Sequence, residues 1–486
     1  MKENKNYHKE KKDIHATSNL IIALQILSFI TFIVIAWNSR LFPIEYIIGI
    51  SLLLVILFVI NVWFQMVRKK RYITGTILNI LMLIILAIGT FYIEKAGKAV
   101  EKIGGATYKT DNMIAVVKKE NSASTILDLG DFQFGSQMAI DNTHTILMIE
   151  NINRKLGKEV NMTTFDTLPE LAQALLDGKV DVVIYNEALA EFIEESIPEY
   201  SNQVKIIYHY EIDTELEVAE VAEAVKSDNF SVYISGIDVE GPITTNSRSD
   251  VNIIATVNPT TKQILLTTTP RDYYVLIPGV SGDCKDKLTH SGIYGVDASM
   301  KTLNQLYGIT LDYYMRVNFT SLIKIIDILG GVEVNSEYAF EAGGYSFQQG
   351  SNHLDGKAAL TFVRERYAFI EGDNQRGRNQ EAVLAAIIQK LVSPGVIIQV
   401  NSIVEEVSAS VETNMSSDKI SELIRMQLED GAGWNIVSIN AIGTGDIQPC
   451  FSSGVAHLYV MQPNIESVMN IINKMQQVKN GEVITQ

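Results

Sequence analysis

The chain has 486 residues, too many for one ordinary soluble domain, and a typical size of about 150 residues per domain suggests roughly three units. Its 40 Lys and Arg against 56 Asp and Glu give a net charge of −16. Residues 1–75 hold ten Lys and Arg and four acidic residues, a net of +6, so the remainder carries −22. Such an acidic remainder disfavours nucleic acid as a partner, because phosphates require a positive surface.

Three uncharged, apolar stretches lie near the N-terminus, at 16–39, 46–67 and 72–93. Each is long enough for a helix that crosses a hydrocarbon core, which needs roughly 20 residues. Lipid cannot hydrogen-bond to the backbone, so apolar runs of this length are expected to be helical. A cleaved signal peptide has a shorter apolar region, about 7–15 residues, and two further spans would not follow it at once. We therefore predict three transmembrane helices within 16–93.

The distribution of basic residues predicts the orientation of these helices. The loop between the first two spans holds only Arg40. The segment 1–15 and the loop after the second span are much richer: Lys2, Lys5, Lys9, Lys11, Lys12, Arg68, Lys69, Lys70 and Arg71. We therefore expect 1–15 to form a cytoplasmic basic tail and everything after the third span to be extracellular. Three lysines just after that span weaken this asymmetry without reversing it.

Residues 94–108 are expected to form a stalk, and 109–226 a small α/β accessory domain. Strand and helix patterns alternate from 110 to 212, which predicts a mainly parallel sheet. The segment 171–188 (LAQALLDGKVDVVIYNEA) is similar to one lobe of a periplasmic solute-binding domain. A spacer or interaction domain is the plainer interpretation.

Residues 227–480 are predicted to form one larger α/β domain with a central mixed sheet. Apolar runs on either side of the Asn-Pro-Thr-Thr-Lys turn predict a hairpin over 251–270. Strands are predicted at 230–238 and 359–369. Helical periodicity marks four further segments: 321–331, 379–392, 418–428 and 465–478.

Two arginines lie in the densest polar cluster of the sequence, at 361–384. Arg364 and Arg366 are two apart on the predicted strand and would face the same side. Guanidinium groups bind phosphate in a forked geometry. This pair therefore predicts part of an anion site, the alternative being a solvated charged surface.

The second half of the same cluster reads as the start of a helix. Asp373 and Asn374 stand where an N-cap belongs, while Arg376 and Gln380, four apart, share one helical face. Arg378 lies off that face and is expected in solvent. Helix N-termini favour phosphate, so this segment is expected to complete the anion site.

Two aspartates near the predicted hairpin are candidate ligands for Mg²⁺. Asp238 ends one strand and Asp250 precedes the next, and Mg²⁺ often takes one or two carboxylates together with substrate phosphates. Arg271 and Asp272 follow a strand directly, where ligands of α/β sheets gather. Turn formation and a surface ion pair are the alternatives for these two pairs.

The remaining candidates carry weaker signals. His290, close to Lys287, is expected to be structural rather than catalytic. Cys284 and Cys450 both lie in the predicted extracellular part, where a disulfide and two free thiols are equally compatible with the sequence. The sequence has no zinc-ligand spacing, Walker loop or G-x-S-x-G motif, which disfavours nucleotide hydrolases and serine nucleophiles.

In this order, the clusters resemble those of the LytR–CpsA–Psr family, most closely its capsule-operon CpsA branch from streptococci and relatives. The matching segments are YISGID (233–238), SRSDVNI (247–253), TTTPRD (267–272), KLTHSG (287–292), VNF (317–319), IDILGGV (326–332), HLDGKAALTFVRER (353–366) and GDNQRGRNQ (372–380). Three spans followed by an accessory domain also match the capsule branch. One departure is Asn379, where many members have an arginine; Arg378 lies one position earlier.

The resemblance implies a Mg²⁺-assisted phosphotransferase with a membrane address, and a pyrophosphatase side activity. Such an enzyme moves a capsular or other wall glycopolymer from a polyprenyl-pyrophosphate carrier to peptidoglycan, forming a phosphodiester. The family's metal-binding aspartates match Asp238 and Asp250. Its phosphate-binding and catalytic positions match Arg248, Arg271, Arg364, Asp373, Arg376 and Gln380, and Arg366 joins the phosphate-binding set.

We hypothesise that the arginines hold the two phosphates and that Asp373 accepts a proton from the attacking sugar hydroxyl. The expected partners are the lipid-linked glycopolymer, peptidoglycan and capsule assembly proteins. An alternative is a non-catalytic module that binds or senses lipid-linked precursors for the capsule machinery. The solute-binding likeness and the basic cytoplasmic tail motivate that alternative, whereas a direct role in transcription conflicts with the extracellular placement.

Overall fold

The computed structural model describes residues 2–66, 69–103, 108–138, 140–215, 229–237, 243, 246–393, 411–454 and 457–485. The chain divides into two compact units. The first comprises Met1–Gly105, Lys390–Ala409 and Met415–Gly433. The second comprises Ala106–Gln389, Ser410–Asn414 and Trp434–Gln486.

Long helices open the described chain: α1 (Lys2–Asn38), α2 (Ile44–Met66) and α3 (Lys69–Ile103). Each contains a stretch that is apolar and long enough to cross a membrane: Asn19–Asn38, Ile44–Phe64 and Thr74–Lys98. Many large apolar side chains in these stretches are exposed, as expected where lipid covers them. The three predicted apolar helices are confirmed, and α3 continues to Ile103, so the predicted stalk begins as helix.

A later helix, Ser417–Asp430, belongs to the same first unit. Its Ile420 and Ile424 pack against a small apolar cluster formed by Leu41, Ala96 and Val100. Arg40 forms an ion pair with Asp418 at 2.7 Å, but both side chains are exposed. Exposed pairs contribute little, so the apolar contact is the main attachment of this helix.

The accessory domain is built on a five-stranded sheet. Its elements are β1 (Tyr108–Lys118), β2 (Gln133–Gln137), α4 (Asn142–Leu156), β3 (Asn161–Phe165), α5 (Leu168–Asp177), β4 (Val182–Asn186), α6 (Ala190–Ser196), α7 (Tyr200–Gln203) and β5 (Val204–Glu215). The strand order is β3-β2-β4-β1-β5. The β3–β2 and β2–β4 pairs are parallel, whereas β4–β1 and β1–β5 are antiparallel.

The expected elements of this domain are present, and four of the five strands in this sheet run in one direction, in keeping with the predicted mainly parallel sheet. Because β1 is reversed, two of the four neighbouring pairs are nevertheless antiparallel. Parallel neighbours require a crossover connection, usually a helix. Helix α4 between β2 and β3, and α5 between β3 and β4, provide such crossovers. Strand β1 precedes these units and enters the middle of the sheet in the opposite direction, which makes both of its pairings antiparallel.

The larger domain also belongs to the second unit. The helix Ser417–Asp430, labelled α13, lies within the same stretch of the chain but belongs to the first unit. Its elements are β6 (Phe230–Ile237), β7 (Ser249–Asn258), β8 (Gln263–Thr268), β9 (Tyr274–Leu276), β10 (Lys285–Lys287), α8 (Leu288–Ser291), α9 (Val296–Tyr307), β11 (Tyr313–Asn318), α10 (Phe319–Ile328), β12 (Val332–Ser336), β13 (Phe340–Ala342), β14 (Tyr345–Phe347), β15 (Gly350–Leu354), α11 (Gly356–Arg364), α12 (Asp373–Leu391), β16 (Val411–Thr413), α13 (Ser417–Asp430), β17 (Asn435–Asn440), β18 (Gly443–Pro449), β19 (His457–Pro463) and α14 (Ile465–Lys479).

A six-stranded mixed sheet in the order β16-β11-β6-β7-β8-β17 forms the centre of this domain, as predicted. The predicted hairpin is β7–β8, which pairs antiparallel from Ile253 with Thr268 to Asn258 with Gln263. Buried Leu265 of the sheet belongs to the same apolar core as Leu303 of α9. The sheet therefore holds fixed the strand ends that carry Asp250 and Arg271.

The predicted strand at 359–369 is instead the helix α11. Ala358, Ala359, Phe362 and Val363 are its buried side chains, a spacing that repeats with the helical period and not with the two-residue period of a strand. Asp355 caps the helix by accepting a hydrogen bond from the backbone N–H of Ala358 at 2.8 Å. Arg364 is consequently the last residue of a helix.

A buried carboxyl group attaches α12 to the sheet. The backbone N–H of Thr268 donates to Glu381 Oε1 at 2.9 Å, and Asn440 Nδ2 donates to Oε2 at 3.2 Å. Burial raises the pKa of Glu381 from an ordinary 4.5 to about 8, because the desolvation cost outweighs these hydrogen bonds. The folded chain therefore binds this proton more tightly than the unfolded chain.

We expect the stability that Glu381 confers to be complete below pH 4.5 and to be lost as the pH rises through about 8. Each unit of pKa shift corresponds to about 1.4 kcal/mol. Glu381→Gln should flatten this loss, so its Tm relative to the parent chain should rise by several degrees between pH 5 and pH 8.5. Thermal melting of the full chain in detergent tests this, with exposed Glu341→Gln as control. A Tm difference that does not change with pH would contradict it.

Candidate functional site

A polar cavity lies at the edge of the central sheet where β8 and β17 end. Asp250 and Arg271 line it from the β7–β8 hairpin, and Asp373, Arg376 and Gln380 line it from the first turns of α12. The other lining residues are Asn252, Thr268, Thr269, Pro270, Glu371, Asn374, Gly377, Arg378, Asn440, Ala441 and Ile442. Four residues predicted for phosphate binding or catalysis, Arg271, Asp373, Arg376 and Gln380, are thus brought together with Asp250, a predicted Mg²⁺ ligand.

Arg271 and Asp250 form the first ion pair in this cavity. The Arg271 Nη1 to Asp250 Oδ1 distance is 2.5 Å, and Thr289 Oγ1 donates to the same oxygen at 3.3 Å. Burial lowers the pKa of Arg271, but Asp250, Asp272 and Asp373 together outweigh this effect and leave that pKa raised. The guanidinium is therefore a fixed positive charge at the cavity wall.

Asp373 and Arg376 form the second ion pair, within the first turn of α12. Burial raises the pKa of Asp373, even though Arg376 and Arg271 act in the opposite direction. A carboxylate with a raised pKa accepts a proton more readily than an ordinary aspartate does. These two ion pairs thus offer two cationic groups for an anion and one potential proton acceptor.

Arg364 and Arg366 do not line this cavity. The guanidinium of Arg364 lies over the ring of Phe319 at 4.7 Å, and that of Arg366 lies over Tyr367 at the same distance. Their predicted placement on one face of a strand is wrong, because α11 ends at Arg364. Gln380 Nε2 donates to the carbonyl of Val363 at 3.4 Å, which places the end of α11 beside the cavity.

Arg248 faces the accessory domain instead of the cavity. Its Nη1 contacts Glu191 Oε2 at 2.6 Å and Glu195 Oε1 at 3.1 Å, and its guanidinium stacks over the ring of Phe192 at 4.6 Å. All three partners lie on α6. Among the described residues, Nε and Nη2 of Arg248 have no hydrogen-bond partner. Its role in phosphate binding remains a prediction.

Of the two predicted magnesium ligands, Asp238 lies outside the described residues. Asp250 borders the cavity, with a fifth of its side chain exposed. Mg²⁺ is commonly bound by one or two carboxylates that share it with substrate phosphates, so Asp250 fits this metal. The magnesium site stays a prediction.

Sequence reasoning placed Arg378 in solvent, and this is wrong. Arg378 lines the cavity and contacts Glu337 at 2.9 Å and Glu371 at 2.7 Å. Two further lining residues, Asn252 and Asn440, were not predicted as site residues. Asn252 lies within the matching segment SRSDVNI, and Asn440 is marked only by its position at the end of β17. His290 is fully buried and lies 2.5 Å from Asp286, as expected of a structural histidine. Cys284 and Cys450 are free thiols.

An apolar groove adjoins the polar cavity, and Gln380 lines both. Its walls come from β6, β7, β11, α10, α11 and α12. Apart from Gln380, the lining consists of Ile234, Gly236, Val251, Ile253, Val317, Asn318, Phe319, Leu322, Val363, Val383, Leu384 and Ile387. Asn318 and Gln380 are the polar members of this set. An amphiphile with an anionic head could therefore occupy both spaces at once.

The contacts of Arg248 predict strong coupling between the accessory domain and the larger domain. A buried guanidinium left without its carboxylates is costly, whereas Glu191 is mostly exposed, which reduces the effect. We expect about 1–3 kcal/mol of coupling between Arg248→Ala and the double change Glu191→Ala and Glu195→Ala.

Thermal or denaturant unfolding of the full chain measures this coupling in a double-mutant cycle. The exposed pair Lys158–Asp131, at 2.6 Å, is the matched control and should show much weaker coupling. Equal coupling for both pairs would contradict the proposed strength of the Arg248 contacts.

The chain is similar to several known proteins. A polyisoprenyl-teichoic acid–peptidoglycan teichoic acid transferase TagU from Oceanobacillus iheyensis is 33% identical over 229 residues, covering 46% of this chain and 69% of that protein. TagU from Enterococcus faecalis is 36% identical over 197 residues, covering 40% and 64%. The crystal structure of B. subtilis TagU is 29% identical, with 54% of this chain and 99% of that chain covered and a TM-score of 0.41. The model of the LytR_cpsA_psr family matches residues 197–475. The chain therefore belongs to the LytR–CpsA–Psr family.

Proposed function

We propose that this protein transfers a glycopolymer from a polyprenyl-pyrophosphate carrier to peptidoglycan. The observation that carries the proposal is the polar cavity joined to the apolar groove at Gln380. A polyprenyl pyrophosphate has a multiply charged head and an apolar tail, and the two spaces match these two parts. The related TagU proteins are named as teichoic acid–peptidoglycan transferases, which supports the same class of reaction.

In the proposed reaction, a peptidoglycan hydroxyl attacks the phosphorus next to the polymer. A phosphodiester to the acceptor forms, the P–O–P bond breaks, and polyprenyl phosphate leaves. The hydroxyl proton passes to Asp373, whose raised pKa suits this role. Arg271 and Arg376 hold the phosphates and stabilise the charge that develops on their oxygens. Arg364, Arg366 and Arg248 lie outside the cavity lining, and their role as further phosphate ligands rests on the family resemblance alone.

Mg²⁺ held by Asp250, with Asp238 as its second ligand, would neutralise charge on the phosphate that stays with the lipid. Water in place of the sugar hydroxyl would give a pyrophosphatase side reaction by the same steps. The arginines of the cavity would act identically in both cases.

The polymer we propose is a capsular polysaccharide. The basis is the likeness to the capsule branch, with three apolar helices and an accessory domain before the larger domain. The basic residues of the N-terminal tail and of the second loop support an extracellular position for the larger domain, on the side of the membrane where peptidoglycan lies. Membrane anchoring keeps enzyme and lipid carrier at one surface, and capsule assembly proteins are further partners.

We expect Arg271→Ala to reduce transfer about 100-fold or more, because one preorganised charge stabiliser commonly contributes that much. The assay uses the full chain in detergent with a short prenyl-pyrophosphate glycan, Mg²⁺ and a peptidoglycan fragment, and measures the joined product. Exposed Arg154→Ala is the control. Absence of transfer and pyrophosphate cleavage by the parent chain would reject the enzyme and, if the lipid still binds, favour the non-catalytic alternative.

The groove makes a separate prediction about the lipid tail. Leu384→Asp places a carboxylate in the apolar wall, so it should weaken binding of long prenyl chains at least 10-fold and affect a two-isoprene analogue far less. Leu127→Asp, at a site 67% exposed, is the control. Binding constants for the two chain lengths test this, and an equal loss for both would exclude the groove as the tail site.

A further inference from the structure

A second polar cluster lies in the accessory domain, at the sheet edge where β2 and β4 end. Asp111 belongs to β1, Asp141 precedes α4, and His144 is in the first turn of α4. His144 Nδ1 lies 2.5 Å from Asp141 Oδ1, and its Nε2 lies 3.6 Å from Asp111 Oδ2. One ligand atom from each residue falls within 4.8 Å of the other two.

Asn186, at the end of β4, orients both carboxylates of this cluster. Its Nδ2 donates to Asp111 Oδ1 at 3.0 Å and to Asp141 Oδ2 at 2.8 Å. The other oxygen of each carboxylate therefore points to the imidazole of His144. Outer partners that fix first ligands in this way are typical of metal sites.

Asp111 supplies an independent sign that this cluster is a binding site. The residue is 3% exposed, and within the described part of the chain its Oδ2 has no hydrogen-bond donor. Asn246, from the larger domain, donates through Nδ2 to Asp111 Oδ1 at 3.1 Å, while its own buried Oδ1 also has no partner among described residues. Buried acceptors without donors are costly, and a cation would satisfy them.

We propose that Asp111, Asp141 and His144 bind a divalent transition-metal ion, Zn²⁺ or Mn²⁺. One imidazole nitrogen with two carboxylate oxygens suits these ions, whereas Mg²⁺ and Ca²⁺ prefer oxygen ligands throughout. Nδ1 of His144 faces Asp141 and Nε2 faces Asp111, so metal–ligand distances of about 2.0–2.2 Å require the imidazole to turn until one nitrogen points between the two carboxylates.

This site is connected to the loop that carries Asp250. Asn246 contacts Asp111 by its side chain, and its backbone N–H donates to the carbonyl of Thr110 at 2.9 Å. Arg248 and Asp250 follow within four residues. A metal on Asp111 would therefore fix the start of this loop. Metal binding itself does not rest on the proposed transferase activity.

The test uses the tag-free full chain in detergent, stripped of metal with a chelator and dialysed. ZnCl₂ and MnCl₂ are added separately, with MgCl₂ for comparison, and calorimetry, bound metal per chain and Tm are measured. We expect one Zn²⁺ or Mn²⁺ per chain and a higher Tm. His144→Ala and Asp111→Asn should lower the affinity at least 100-fold, and Asn186→Ala about 10–100-fold.

Two variants serve as controls. His353→Ala removes the exposed histidine that lies 2.7 Å from Glu333 and should change nothing. Asp250→Asn should also retain the ion, which separates this site from the predicted magnesium site. Absence of Zn²⁺ and Mn²⁺ binding by the parent chain would overturn the proposal and leave a protonated His144 between two carboxylates. Binding that His144→Ala does not weaken would overturn it equally.

Discussion

Pairing of buried guanidinium groups with carboxylates is the constraint on which this structure depends. A buried charge without a partner costs several kcal/mol, and the chain satisfies this requirement before any substrate arrives. Arg271 holds Asp250, Arg376 holds Asp373, and Arg378 holds Glu337 and Glu371. The net negative charge of the sequence has a local counterpart here, because each of these arginines is paired with a carboxylate of the same chain.

These carboxylates would also change their charge balance when a phosphate binds the arginines. A pyrophosphate that takes over Arg271 would leave the carboxylate of Asp250 without its cation. A divalent metal bridging Asp250 and the phosphate restores the charge balance, and this gives a physical reason to expect Mg²⁺ beside a single described carboxylate. Asp373 would similarly lose Arg376 and gain basicity, which favours proton uptake at that moment.

Helix α12 joins the two environments of the site. Its first turns carry Asp373, Arg376 and Gln380 toward the cavity, and its later turns carry Val383, Leu384 and Ile387 into the groove. The sequence predicted the spacing of Arg376 and Gln380, because it is local to one helix. It did not reveal the groove, since the other walls come from β6, β7, β11, α10 and α11, which only the folded domain brings together.

The difference between local and long-range contacts also explains which sequence predictions were wrong. Phe362 and Val363 form a short apolar run that is compatible with both strand and helix. The N-cap Asp355, which favours the helix, lies four residues before the predicted segment. The two segments that carry Arg271 and Asp250 were recognisable because a hairpin joins them. No local sequence pattern could predict the ion pair between Arg248 and Glu191, because Glu191 lies 57 residues earlier and in another domain.

Arg248 shows why the accessory domain is more than a spacer. The segment that begins at Asn246 contacts the accessory domain twice. Asn246 contacts Asp111, and Arg248 contacts Glu191 and Glu195. Asp250, which lines the cavity, follows two residues after Arg248. We propose that a change in either contact alters the position from which Asp250 reaches Arg271. A ligand bound by the accessory domain would then act on the proposed phosphate site through these few residues.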